Sequence, residues 1–249
     1  MNISKIILLS AITLCSVWAM SCSSTKNDIP QTAEAVFNEG LMKFKDESYM
    51  EAQKLFDVIK LQYPASAFAD DAQYYLAEIN FKRKEYQLSA FNYNMLRRVY
   101  PRSEYSKEAL FKTGLAYYHL SPTYDREQEH TLKAIQTFSE FQATYPQDSL
   151  STEVTNYIVE LREKLAFKEY FNGMIYQKMA YFKSALIYYN FVLDDYSDTK
   201  VTEDAYIGKM QVLLEMEKKE ELKITLELFQ LAYPNTKFAE ELKSIKANM

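Results

Sequence analysis

His119 and His130, with Glu127 and Glu129 between them, are the residues best suited to hold a metal ion. They straddle Ser121-Pro122, which breaks a helix, so they cannot form the helical i, i+4 pair that such a site uses. They read instead as loop and helix-cap residues. Asp194-Asp195 offers two carboxylates for acid–base work. Adjacent residues on a helix point about 100° apart, and this pair falls at a helix end, so solvated charge accounts for it. The four glycines are scattered, and no phosphate-binding loop can be built from them. No catalytic site, metal or cofactor is expected, and the chain reads as a binding protein rather than an enzyme.

The remaining reactive group is a thiol. Lys5 is the only charge before the apolar run Ile6-Ile7-Leu8-Leu9, and small residues then lead through Ala19-Met20-Ser21 to Cys22. A charged start, a short apolar core and a small-residue exit make a secretory signal rather than a membrane span. A cysteine at the exit marks the lipoprotein form, in which the thiol carries diacylglycerol. Residues 1–21 are therefore expected to be the signal peptide and Cys22 the lipid attachment site. Cys15 leaves with the signal, so no disulfide is expected and stability must come from burial. Residues 22–32 are polar, with one proline, and read as a flexible tether. The net charge of −5, with no concentrated basic stripe, argues against nucleic acid. The membrane tie is expected through lipid alone.

An internal repeat positions everything else. Tyr63-Pro64, Tyr100-Pro101, Tyr145-Pro146 and Tyr233-Pro234 each close an apolar helical pattern, and Tyr196-Ser197 is a degenerate fifth closure. Gly40, Gly114, Gly173 and Gly208 recur at one place in the repeat, with Ala77 standing there in the second. Glycine inside a helix costs about 1 kcal/mol relative to alanine, so the recurrence calls for a packing reason. A close approach of helix A to helix B supplies it. Helix B carries a small residue followed four later by an aromatic: Ala52 and Phe56, Ser89 and Tyr93, Ala134 and Phe138, Ala185 and Tyr189. The pair is expected to make a knob that the neighbouring repeat accepts.

Two insertions interrupt the array. Residues 121–128, Ser-Pro-Thr-Tyr-Asp-Arg-Glu-Gln, read as a loop between the helices of repeat three. Between Pro146 and Gly173 the excess carries the helical pattern Val154, Ile158, Leu161, Leu165. Some 14 additional residues would lengthen helix A of repeat four by about 21 Å. The pattern resembles the tetratricopeptide repeat family over residues 33–234. That resemblance implies an all-α solenoid of five helix pairs with a lengthened first helix in repeat four. The expected division is an N-terminal arm, 33–147, and the long helix with a C-terminal arm, 148–249.

Tyrosine and phenylalanine are abundant, and most fall at core positions. The A-helix positions expected to face the concave groove are Phe37, Phe44 and Lys45; Tyr74, Phe81 and Lys82; and Phe111, Tyr118 and His119. Aromatic rings beside lysines suit an extended peptide with aromatic side chains and a carboxylate.

Asp125-Arg126-Glu127-Gln128-Glu129-His130, the run Leu161-Arg162-Glu163-Lys164-Leu165-Ala166-Phe167 and Val192-Leu193-Asp194-Asp195-Tyr196-Ser197 resemble the BamD family of outer-membrane assembly lipoproteins. The resemblance implies a lipid-anchored scaffold at the outer membrane, facing the periplasm. Its N-terminal arm would receive unfolded outer-membrane proteins, and its C-terminal arm would dock on a BamA-type barrel subunit. Lys183, Ile187 and Tyr188 are the candidate docking residues. That family can place an arginine in this helix, where the present sequence reads Ala185-Leu186-Ile187-Tyr188-Tyr189. The alternative is a periplasmic adaptor lipoprotein of a cell-division or peptidoglycan complex.

Overall fold

The computed structural model describes residues 32–249. The expected signal peptide, the expected attachment site at Cys22 and the expected tether up to residue 31 lie outside the described residues.

Eleven helices make up the described chain. Repeat one is α1 (Ala33–Lys45) and α2 (Tyr49–Gln62), repeat two is α3 (Ala69–Lys82) and α4 (Tyr86–Val99), and repeat three is α5 (Ser106–Leu120) and α6 (Glu129–Thr144). Repeat four pairs α7 (Ser151–Lys178) with α8 (Phe182–Asp195), and repeat five pairs α9 (Val201–Glu215) with α10 (Lys219–Ala232). The chain is thus an all-α solenoid of five helix pairs. A terminal helix, α11 (Ala239–Ala247), was not foreseen from the repeat pattern, and its Leu242 and Ile245 are buried against repeat five.

Each B helix ends alike. Tyr63, Tyr100, Tyr145, Tyr196 and Tyr233 hold φ between −129° and −122°, and each N–H donates to the carbonyl four residues back. Four of these tyrosines precede proline, which disfavours helical backbone in the residue before it. Tyr196 precedes Ser197 and adopts the same geometry, so packing of the tyrosine ring completes what proline starts.

The A-to-B turns hold a feature with no sequence signature. Glu47, Lys84, Ala180 and Glu217 have φ of 55–60°, the left-handed region usually given to glycine. In each turn the following residue's N–H reaches back five residues, as from Tyr181 to the Tyr176 carbonyl at 2.9 Å, which closes the helix C-terminus.

All four glycines meet a buried ring. A Cβ on Gly40 would stand 2.8 Å from Phe56 Cε1, on Gly114 2.5 Å from Phe138 Cε1, and on Gly173 2.7 Å from Tyr189 Cε1. In these repeats the helix-B aromatic seats on the glycine of its own repeat, while Phe56 and Phe138 also stack on Tyr75 and Tyr157 of the following repeat at 5.4 and 5.2 Å, as the expected knob requires. Gly208 meets the ring of the preceding repeat: a Cβ there would stand 2.5 Å from Tyr189 Cζ. Where serine replaces alanine in helix B, its hydroxyl is satisfied, because Ser89 Oγ donates to the Ala77 carbonyl at 3.0 Å.

The 28-residue helix α7 serves two cores. Val154 and Leu161, in its first half, pack with Phe138 and Phe141 of repeat three. Tyr170 and Tyr176, in its second half, pack into the core of repeats four and five. The 121–128 loop leans on its middle. Tyr124 meets the edges of Phe167 and Phe171 at 4.7 and 5.2 Å, and Lys164 Nζ donates to Ser121 Oγ at 2.8 Å.

Candidate peptide groove and docking face

The helical spacing of the A helices decides which groove candidates remain accessible. Phe37, Tyr74 and Phe111 are buried at 7–8 % exposure, so they are corrected from groove to core. Phe37 stacks on Phe68 at 5.2 Å, Tyr74 on Tyr105 at 4.2 Å, and Phe111 lies 5.8 Å from Phe141. Each sits three residues before the small position; residues leading into the next repeat cover Phe37 and Tyr74, and helix B of the same repeat covers Phe111. Burial raises the Tyr74 phenol far above its ordinary range, as it does for Tyr93, whose hydroxyl donates to Glu78.

Phe44, Phe81 and Tyr118 remain partly open, near the C-terminal ends of α1, α3 and α5. Phe44 packs between Tyr49 and Tyr75. Phe81 belongs to a cluster that the structure assembles from repeats two and three. His119 stacks flat on Tyr86 at 4.5 Å, Phe81 meets both rings edge-on, and Tyr118 lies 5.8 Å from His119. Burial lowers the pKa of His119, favouring the neutral ring within the stack. Tyr118 donates to Glu160 of α7 at 2.8 Å, and burial followed by that carboxylate pushes its pKa up to about 12. His130 lies elsewhere, beside Tyr117.

Three members of this surface were missed in the sequence. Tyr86 opens a B helix and so fell outside the A-helix rule. Lys112 and Glu78 pair at 2.8 Å between α5 and α3, with the ammonium 5.3 Å from the Phe81 ring centre. That pair neutralises Lys112. Lys45 and Lys82 are exposed and have no ion-pair partner among the described residues. Both lie in the last turn of their helices, where a cation also complements the helix dipole. Rings flanked by unpaired ammonium groups can take an aromatic side chain and a carboxylate together.

The docking candidates lie on α8. Ile187 is 67 % exposed and shares an outer face with exposed Lys183, four residues earlier, and with Phe191, four residues later. Tyr188 turns the other way and stacks on Tyr176 of α7 at 5.3 Å. Phe191 is the member that the sequence reading missed, although its i+4 spacing from Ile187 signals it.

The run Leu161-Arg162-Glu163 has a structural task. Arg162 clamps Asp198 with two donors, at 2.9 and 2.5 Å, and also reaches the Asp195 carbonyl at 2.8 Å. Its neighbour Glu163 accepts the Lys200 N–H at the start of α9 at 2.9 Å. Together they fix the α8–α9 turn to the long helix.

A family model described as outer membrane lipoprotein, YfiO, matches residues 30–228. The chain belongs to this family. Among curated proteins it is similar to the outer membrane protein assembly factor BamD of Rickettsia prowazekii, with 24 % identity covering 93 % of each chain. It is also similar to the BamD of Neisseria meningitidis serogroup B, at 20 % identity over 75 % of this chain and 77 % of that one. Among solved structures, a tetratricopeptide repeat protein from Parabacteroides merdae aligns over 90 % of this chain and 87 % of its own, at 14 % identity and a TM-score of 0.40. Among the described residues, no helix is long and apolar enough to cross a membrane.

Proposed function

We propose that this chain is a scaffold of outer-membrane protein assembly, held at the outer membrane by lipid on Cys22 and facing the periplasm. The observation that carries the proposal is membership of the outer membrane lipoprotein family across residues 30–228, together with relatives named as assembly factors. The groove beside Phe81, Tyr86 and His119 receives the aromatic, carboxylate-ending segment of an unfolded barrel protein, with Lys82 countering the charge. The outer face of α8, with Lys183, Ile187 and Phe191, docks on the barrel-forming subunit. Apolar contact takes the place of an arginine ion pair there. The separate packing of the two halves of α7 supports a division into a receiving arm, 33–147, and a docking arm, 148–249.

The receiving role is tested with a peptide ending in an aromatic residue and a free carboxylate. Phe81→Ala with Lys82→Glu should weaken its binding at least tenfold in a chain that keeps its helical circular dichroism. Unchanged affinity in the folded double variant refutes this groove. Both residues lie at the surface or partly so, which makes the pair a cleaner probe than buried Tyr74.

A further inference from the structure

The C-terminal repeats enclose a second cavity, separate from the aromatic groove. It has a volume of about 530 Å³ and lies between the second half of α7, α9 and α11. This size is within the range of sites that hold small ligands or side chains. Its floor is the Tyr189–Gly208 contact, and Phe182 and Phe238 add apolar wall. Any side chain at 208 would collide with Tyr189, so glycine keeps this ring against the base of the cavity.

The polar lining is specific in kind. Tyr189 donates its hydroxyl to Gln177 Oε1 at 2.5 Å, and Gln177 donates in turn to Gln211 Oε1 at 3.1 Å. This chain fixes both amides and leaves the Gln211 NH2 group directed by its partner but unused among the described residues. A side-chain amide held in this way suits the carbonyl of an extended peptide. The charges at the mouth are unequal. Asp204 is committed to Lys237 at 3.0 Å. Glu215 and Glu241 are exposed and have no ion-pair partner among the described residues, with Lys178 as the single opposing cation. The cavity therefore presents aromatic and apolar surface under an excess of negative charge, which favours a cation over an anion.

We infer that this cavity is a binding site for an extended peptide segment of a partner protein carrying an arginine or lysine beside an apolar residue. The amides take the backbone, the aromatic wall takes the apolar residue and the stem of the basic one, and Glu215 and Glu241 meet its charge. Its charge preference is opposite to that of the Phe81 groove, so the two sites would hold different segments. The inference stands on the cavity itself and does not depend on the assembly role.

The test uses the full chain in detergent and two labelled ten-residue peptides, one with an Arg-Phe-Arg centre and one with Glu-Phe-Glu. The basic peptide should bind at least tenfold more tightly than the acidic one. Glu215→Lys with Glu241→Lys should reverse that order, and since both residues are exposed the fold should be unaffected. A photoreactive group at the peptide's Phe should mark the end of α7 and α9. Equal binding of the two peptides, an unchanged order in the double variant, or marking confined to α1–α5 overturns the inference. Phe81→Ala with Lys82→Glu should leave the basic peptide's affinity unaltered, so failure here and failure of the receiving groove are read separately.

Discussion

Tyr189 is held between two bare backbones, Gly173 on one side and Gly208 on the other. Replacing either glycine with alanine would raise helix propensity by about 1 kcal/mol. Overpacking a core costs about 1–3 kcal/mol, and this buried ring, bracketed by two glycines, would have to strain its hydroxyl's bond to Gln177 to yield. The steric cost wins at 208, where Cβ would lie 2.5 Å from Cζ and 2.8 Å from the hydroxyl. Gly208→Ala should lose about 1 kcal/mol net in urea unfolding, and less than that once Tyr189→Leu has made room. A Gly208→Ala chain as stable as the native one would remove this account. The opposite sign is expected at Ala180, whose φ of 58° suits glycine. Relief of the left-handed strain, about 1–2 kcal/mol, exceeds the added chain entropy of glycine, about 0.4–1 kcal/mol. Ala180→Gly should therefore raise the thermal midpoint, and a lowered midpoint would refute the strain. The glycine positions were legible because a helix does not keep glycine without cause. The ring each one meets was not, since an i, i+4 pair defines a face but not which of two flanking helices covers it. Burial against neighbouring rings took Phe37, Tyr74 and Phe111 out of the groove, leaving Phe44, Phe81 and Tyr118 partly open. The left-handed turns had no signal at all, because Glu47, Lys84, Ala180 and Glu217 are ordinary residues held there by their surroundings.

Among elements, α7 is the member on which both cores depend, and the exposed Asp198 carboxylate is one of its polar links to the turn that opens the next repeat. Arg162 holds the Asp198 carboxyl below its ordinary pKa, chiefly through their hydrogen bonds. In the unfolded chain Asp198 titrates at the ordinary value of 3.8. Because the folded value is lowered, the contribution is present above the ordinary value and lost as pH falls through the lowered one. Asp198→Ala should thus cost about 1 kcal/mol at neutral pH, the scale of a partly exposed pair. The gap between variant and native unfolding curves should close on acidification below the carboxylate range. A gap independent of pH would show that the clamp acts through packing on Tyr196, whose ring centre lies 5.3 Å from the guanidinium. The length of α7 was readable from an uninterrupted apolar period. The helix α11 was not, because it carries neither a repeat glycine nor a Tyr-Pro closure, only Leu242 and Ile245 at i, i+3.

At the scale of the whole molecule, the proposed docking face can be separated from the fold by choosing residues that differ in burial. Ile187 is 67 % exposed on α8, so placing a carboxylate there removes little packing. It would, however, put an unpaired charge at the centre of an apolar contact with Lys183 and Phe191 beside it, which an interface tolerates poorly. Ile187→Asp should keep the native unfolding curve and reduce co-purification of the barrel-forming subunit at least tenfold. Leu61→Asp provides the control, since Leu61 is 81 % exposed on α2 in the first repeat and its change should leave recovery unaltered. Tyr188→Ala should behave differently from both. Its ring is stacked on Tyr176, so its loss weakens the α7–α8 pair itself and lowers stability along with recovery. If Ile187→Asp recovers the subunit at the native level, the outer face of α8 is not where this scaffold docks. If Leu61→Asp fails equally, apolar surface at large, rather than this face, governs recovery.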